Sequence, residues 1–242
     1  YIINGHKWFA SGFDGAEFAI VMLVTDPEGN DPHKKASQII VPTKAKGVKF
    51  IRNISIMGHP GGGWESHAEI KFDNVKVPSS NVLGEEGEGF AIAQKRLGPG
   101  RIHHCMRLTG LAERALEAMC KRTKSRVAFG KPVSEQTVTQ ERIAESRIMI
   151  DQCRLLTLYA AHKMDTLGNK EARKEIAMIK VAAPNMACKV TDWAIQAHGG
   201  GGLTTDFGLA KMYANARLLR LADGPDEVHR NQIARLELKR HN

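Results

Sequence analysis

The hydrophobic period of this 242-residue chain changes once, near Glu88, and that change divides it into two kinds of structure. Before it, apolar residues alternate with polar ones. EFAIVMLVT lies between Asp-Gly and Asp-Pro-Glu-Gly turns, and in SHAEIKFDNVKVP the residues Ala68, Ile70 and Phe72 alternate with Glu69, Lys71 and Asp73. A period of two with one polar face predicts strands of a sheet that is wet on one side. After Glu88 the patterns are long and helical: EGFAIAQKRL, then MRLTGLAERALEAMCKRT, then ERIAESRIMIDQCRLLTLYAAHKM. In the last of these, Ile148, Leu155 and Leu158 mark one side, while Ile143, Ile150 and Cys153 mark another. A helix apolar on more than one side belongs in the middle of a bundle. Asn169–His198 predicts a further helix, kinked at Pro184. The short loops GKPVSE and DTLGNK favour antiparallel neighbours. The expectation is an α+β chain, with a β domain over 1–86 and a helical bundle over 87–242.

Charge and cysteines narrow the setting. Lys and Arg number 35 against 26 acids, a formal charge of +9, which favours a polyanionic partner without separating nucleic acid from a phosphate-rich cofactor. The basic residues are spread along the chain, with no run interleaved with aromatics, which argues against nucleic acid. Cys105, Cys120, Cys153 and Cys188 are far apart and lie in helical, apolar stretches, the pattern of buried thiols in a reducing compartment. No apolar run approaches the roughly 18 residues of a membrane helix. The chain opens in what reads as mid-strand, so an internal fragment is expected, with any targeting signal outside it.

Most of the motif-like stretches have plain readings. HPGGGW (59–64) lacks the Gly-Lys-Ser/Thr of a phosphate loop and sits between strands, so a turn is expected. Asp226 and His229 form a D-x-x-H without the second acid-x-x-His that a di-iron bundle needs, and His103-His104 has no H-E-x-x-H context. No metal site is expected, and no G-x-S-x-G supports a serine hydrolase. The four glycines after His198 can cap a helix or bare enough N–H groups to hold a phosphate. RLADGPDEVHR (220–230) poses the remaining question: Asp223 ends one helical run just before a Gly-Pro break and a second run. It is either a cap or a base at the end of a pocket.

Taken together, five segments resemble the acyl-CoA dehydrogenase family, in the family's order and over nearly the whole chain. YIINGHKWFASG is similar to its NG-x-K-x-W-I-T/S-N strand, and FDNVKVPSSNVLGEEGEGF to F-D-x-V-x-VP-x-x-x-LLG-x-x-G-x-GF. SRVAFGKPVSEQTVTQ resembles R-x-x-FG-x-P, IQAHGGGGL resembles Q-x-x-GG-x-G, and LADGPDEVHR falls where the family has Y-E-G-T-x-x-x-x-R. The ADGPDEVH variant is similar to the branch of family members 10 and 11. The resemblance implies a subunit of three parts: an N-terminal helical domain absent here, a middle β-barrel or sandwich, and a C-terminal four-helix bundle.

It also implies FAD, an acyl-CoA substrate, an electron-transfer flavoprotein as acceptor and a homodimer or homotetramer. The implied setting is the bacterial cytoplasm or a mitochondrial or peroxisomal matrix, and the implied process is β-oxidation of fatty acids. Phe9 and Ser11 match the positions that face the flavin. Arg126, Phe129 and the Gln196, Gly199, Gly200 element match residues that serve a neighbouring subunit's FAD. Gln140 is a further cofactor contact, although Thr137 stands where a cofactor-contacting Gln is common. Pro225 and Glu227 replace the family's Thr and Gln near the cofactor.

In the family's reaction a carboxylate removes the α-proton while a β-hydride leaves for flavin N5. Asp223 aligns with the catalytic Glu. The alternative seat for that acid, immediately before Arg101, is occupied by Gly100, so Asp223 is the candidate base and Arg101 the residue that tunes its charge. Asp is one methylene shorter than Glu, so helix or substrate must come closer. Two further readings use the same scaffold: a flavin oxidase like nitroalkane oxidase, which also uses an Asp base, and a nucleic-acid-binding relative like the AidB proteins.

Overall fold

The computed structural model describes residues 1–241, which divide into two compact units, Tyr1–Arg96 and the chain from Leu97 onward. Strands make the first. They are β1 (Ile2–Ser11), β2 (Phe18–Val24), β3 (Ala36–Pro42), β4 (Val48–Asn53), β5 (His67–Lys76) and β6 (Val82–Leu83). Two antiparallel sheets result, ordered β1-β5-β4 and β2-β3-β6. Ile3, Ile70, Phe72 and Val75 from one sheet join Val21, Ile39 and Val41 from the other in a single apolar cluster.

The alternation over 68–73 holds on its apolar side, where Ala68, Ile70 and Phe72 are buried. Its polar side departs at Glu69, which is also buried. Arg52 on β4 and His6 on β1 flank it at 2.7 and 3.0 Å. The Arg52 hydrogen bond holds the Glu69 carboxyl below the usual carboxylate range. Cross-strand ion pairing therefore covers an acid that alternation alone assigns to water.

The helices are α1 (Gly89–Ser125), α2 (Thr137–Leu167), α3 (Arg173–His198), α4 (Leu209–Leu218) and α5 (Asp226–Leu238), with a small hairpin, β7 (Val127–Ala128) and β8 (Lys131–Pro132), after α1. The two helical patterns before residue 125 form one 37-residue helix that runs through Gly98-Pro99-Gly100. A proline mid-helix costs a hydrogen bond but does not have to end the helix when its neighbours absorb the distortion. Helix α3 starts at Arg173, four residues later than the pattern suggests, and contains Pro184 as expected. Small residues let the helices of this unit approach closely: Ala112 and Ala115 on α1, Ala160 on α2, and Ala183, Ala187 and Ala194 on α3 are all fully buried.

Helix α2 buries Ile150 and Cys153 against this core. Its other apolar side, Ile148, Leu155 and Leu158, is exposed in the single chain. Three of the four cysteines are buried, Cys120 is half-buried, and all four are free thiols. Burial pushes the Cys105 and Cys153 thiols up to about 12 and about 11. No helix among the described residues is long and apolar enough to cross a membrane.

Candidate active site

Asp223 occupies the short connection between α4 and α5, with a backbone φ of +58°. This left-handed conformation costs an L-residue roughly 1–2 kcal/mol, and Asp is among the few side chains that visit it. Gly224 follows at φ +107°, and a Cβ there would come within 2.9 Å of His229 Nε2. The two positive φ values turn the chain sharply between helices.

The carboxylate does not cap the helix that follows. Pro225 is the N-cap of α5 and makes no side-chain capping bond, while the Asp226 N–H donates to the Arg220 carbonyl at 3.1 Å. Instead Asp223 Oδ2, itself buried, lies 3.3 Å from His104 Nε2 on α1, with the two side chains 19% and 26% exposed. Gly100, also on α1, lies beside this oxygen: a Cβ there would stand 3.7 Å away, in ordinary contact.

The main chain of the connection is held from three helices. Arg101 on α1 donates Nε to the Asp223 carbonyl at 3.0 Å, and His229 on α5 places Nε2 3.3 Å from the same oxygen. Lys180 on α3 is fully buried and donates Nζ to the Leu219 carbonyl at 2.5 Å and the Gly224 carbonyl at 3.4 Å. Burial pushes the Lys180 ammonium below the usual lysine range. His229 is lowered to about 4, first by burial and then by the positive charges of Arg101 and Lys180.

Asp226 and His229 do not act as a pair. Asp226 is buried and accepts from Asn185 and from Arg220, each at 2.9 Å. Burial favours its neutral form, but these two donors outweigh that and hold the carboxyl below the ordinary aspartate range. Glu227 is exposed and Pro225 half-buried at the start of α5.

A second feature lies elsewhere in the same unit. A cleft of about 630 Å³ is lined by Arg122, Arg126, Arg142, Gln196, Gly199 and Gly200, among others, and by no carboxylate among the described residues. Arg122 Nε is buried with no hydrogen-bond partner among the described residues. Gly199 ends α3 at φ +63°, a conformation that favours glycine. Gly202 is required by packing, since a Cβ would meet the Ile195 carbonyl at 2.6 Å. Gly200 has neither constraint, and nothing lies within 4 Å of where its Cβ would be. Three guanidinium groups, an amide and a bare backbone facing open space suit a multiply charged anion such as a diphosphate.

Of the residues expected at a cofactor, Arg126, Gln196, Gly199 and Gly200 share this cleft. Gln140 is exposed on the first turn of α2 and does not line it. Phe129 stands at the tip of the β7–β8 hairpin at φ +54°, followed by Gly130 at +79°, and is 98% exposed. Two positive φ values are the signature of a turn that prefers Asn-Gly.

In the first unit, Phe9 has φ +55° where the β1–β5 register shifts between Lys7 and Ala10. A bulky residue with positive φ is an outlier, here created by a bulge that turns the half-exposed ring outward. Ser11 Oγ lies 2.8 Å from His67 Nδ1.

Sequence reasoning missed His104, Lys180, Arg122 and Arg142 as site residues. Two had a readable signal: His104 is three residues after Arg101, and Arg122 four before Arg126, so each shares a helix face with a residue already singled out. Lys180 had none.

A model of the acyl-CoA dehydrogenase C-terminal domain matches residues 87–238. Acyl-CoA dehydrogenase family member 11 of Mus musculus is 53% identical over 241 residues, covering 99% of this chain and 31% of its own length. Family member 10 of Mus musculus is 51% identical over 243 residues, covering 99% of this chain and 22% of its own length. The solved structure of an acyl-CoA dehydrogenase homologue from Mycobacterium abscessus superposes with a TM-score of 0.96 at 48% identity, covering all of this chain and 59% of that one. The chain thus spans less than a third of the length of these two curated relatives.

Proposed function

The chain belongs to the acyl-CoA dehydrogenase family, and on that premise we propose that the protein oxidises an acyl-CoA thioester between Cα and Cβ. Asp223 is the general base. The observation that carries this reading is the placement of its carboxylate, which is turned toward α1 beside Arg101 and His104 rather than onto the N-terminus of α5. A cap would sit on α5. A base must face a reactant.

A neighbouring subunit's FAD fits the anion-suited cleft, where Arg126, Gln196 and the N–H groups of Gly199 and Gly200 would hold its pyrophosphate, with Arg122 and Arg142 adding charge. When bound, FAD supplies the acceptor for two electrons. The chain's own part is to take the α-proton onto the Asp223 carboxylate as the β-hydrogen leaves with its electron pair. Arg101 keeps the Asp223 carbonyl fixed during that transfer. Phe9 and Ser11 would face the flavin ring, Phe129 would pack on the cofactor of a neighbouring subunit, and Gln140, Pro225 and Glu227 would lie near it.

The exposed apolar side of α2 and the exposed Phe129 support a homo-oligomer, a dimer or tetramer. In this reading residues 1–86 belong to a middle β-barrel or sandwich domain and the chain from residue 87 onward to a four-helix-bundle domain. An electron-transfer flavoprotein is the proposed acceptor, and the free thiols suit a reducing intracellular compartment. Fatty-acid β-oxidation is the matching process.

The test uses the full-length protein with FAD bound, mixed anaerobically with butyryl-, octanoyl- or palmitoyl-CoA. Flavin bleaching by at least one thioester is expected, and Asp223→Ala should slow it by roughly 10²–10⁴ while FAD stays bound. Bleaching at the parental rate in Asp223→Ala would remove Asp223 from this role.

A further inference from the structure

His104 faces Asp223 with one ring nitrogen and an arginine with the other. Its Nδ1 lies 2.7 Å from a guanidinium nitrogen of Arg107, and its Nε2 lies 3.3 Å from Asp223 Oδ2. A guanidinium has donors only, so Nδ1 must be the nitrogen carrying the lone pair. The ring proton then sits on Nε2, the nitrogen nearest the Asp223 carboxylate. A doubly protonated ring would direct an N–H at the guanidinium, so Arg107 selects the neutral Nε2–H tautomer. At 3.3 Å the pair stands at ion-pair distance without hydrogen-bond geometry, and catalytic contacts of this kind often align only once substrate is present.

Asp223 carries its carboxylate one methylene closer to the backbone than a glutamate would. Its backbone is fixed from three sides by Arg101, His229 and Lys180, but all three act on main-chain carbonyls of the connection. His104 on α1 comes within 3.3 Å of the carboxylate itself. The groups facing this acid are therefore Arg101, His104 and, behind His104, Arg107 on α1, Lys180 on α3, and His229 on α5, with Asp226 tied up by Arg220 and Asn185.

We propose that His104 is the positioning residue of the Asp223 base: locked by Arg107 as a neutral Nε2–H donor, it orients the carboxylate and favours its ionised form until the α-proton arrives. The inference rests on the proposed role of Asp223. An N–H donated to a carboxylate stabilises the charged form, so removing it raises the acid's pKa and delays the active base to higher pH.

The experiment follows anaerobic flavin reduction by octanoyl-CoA (or whichever of the three thioesters reduces the parent) from pH 5 to 9 in the full-length holoenzyme. His104→Ala should slow reduction by roughly tenfold and move the ascending acid limb upward by about one pH unit, the shift expected when a single hydrogen bond to a charged group is lost. His104→Gln, which retains an N–H donor, should restore most of both. Arg107→Ala should move the limb in the same direction by less.

In ¹⁵N-histidine-labelled protein, the resonance absent from His104→Gln should carry its proton on Nε2 in the parent, a readout independent of turnover. An Nδ1–H tautomer, an unchanged rate and limb in His104→Ala, or an equal loss at every pH would each overturn the assignment. The two readings fail separately. Full activity in Asp223→Ala sinks the base itself, whereas an inactive Asp223→Ala beside an unaffected His104→Ala sinks only the role of His104.

Discussion

Lys180 donates its buried ammonium to the main-chain carbonyl of Leu219, the residue that follows α4, at 2.5 Å. The same Nζ reaches the Gly224 carbonyl, so one side chain of α3 spans the connection that carries Asp223. A desolvated cation whose partners are carbonyl dipoles is a strut between backbone segments.

The first prediction concerns that strut. Lys180→Met keeps most of the side-chain volume and leaves the two carbonyls without this donor. Each unsatisfied buried group costs about 1–3 kcal/mol, offset in part by no longer burying a cation. Denaturant unfolding should show a net loss of about 1–3 kcal/mol, with flavin reduction slowed more than FAD binding. Unchanged stability and an unchanged rate would mean that the connection holds its shape without Lys180.

Backbone strain at Asp223 gives a test in which stability and activity move in opposite directions. At φ +58° glycine carries no steric cost and Asn little, whereas Ala carries it fully. Asp223→Gly and Asp223→Asn should be at least as stable as Asp223→Ala, by up to about 1 kcal/mol, yet all three should lose flavin reduction. Thermal unfolding and single-turnover rates on the same samples decide it. A loss of rate that tracked stability would point to a structural residue. Gly224→Ala, by contrast, should destabilise by about 1–3 kcal/mol, because it meets both φ +107° and the His229 ring.

How much of this is readable in the chain depends on the range of the interaction. The change of period near Glu88 is local chemistry, and the strands and helices follow it on either side. The burial of Glu69 is not local, because it needs Arg52 and His6 on the two flanking strands. The Gly98-Pro99-Gly100 stretch lies between two separate helical patterns in the sequence, yet the flanking turns carry α1 through it. At the site, Asp223 is conspicuous because it stands beside Gly-Pro. Its link to Arg101 joins residues 122 positions apart, which no spacing rule reveals. Lys180 lies outside sequence reasoning for a different reason. Lysines are usually exposed, and this one is buried only because helix ends converge on it.

The third prediction separates Asp226 from Asp223. Asp226 is buried, with Arg220 and Asn185 bonded to the same oxygen. Removing one partner of a buried ion pair costs roughly 3–5 kcal/mol, and Arg220 is about one-third exposed, so the lower end applies. Asp226→Ala should therefore lower the unfolding midpoint clearly, whereas Glu227→Ala, at an exposed position, should change it little. Equal midpoints for the two variants would show that the Arg220 pair contributes nothing.

The last prediction concerns acid. His229 Nε2 faces the Asp223 carbonyl, an acceptor only, so the ring proton belongs on Nε2. The opposite nitrogen, Nδ1, is buried with no hydrogen-bond partner among the described residues, so a second proton would enter a site where they offer it no acceptor. Burial, followed by Arg101 and Lys180, lowers the group from 6.5 to about 4. Between those values the unfolded chain binds a proton that the folded chain refuses. The contribution of His229 is thus fully present above pH 6.5 and is lost as pH falls from 6.5 toward 4, by about 3 kcal/mol in all. His229→Gln keeps an N–H donor but cannot take up the proton, so its stability should decline less over that window. Unfolding midpoints of parent and variant, measured in steps from pH 8 to 4, should diverge below pH 6.5, with the parent losing more. Parallel curves would show that His229 is not what makes this junction sensitive to acid.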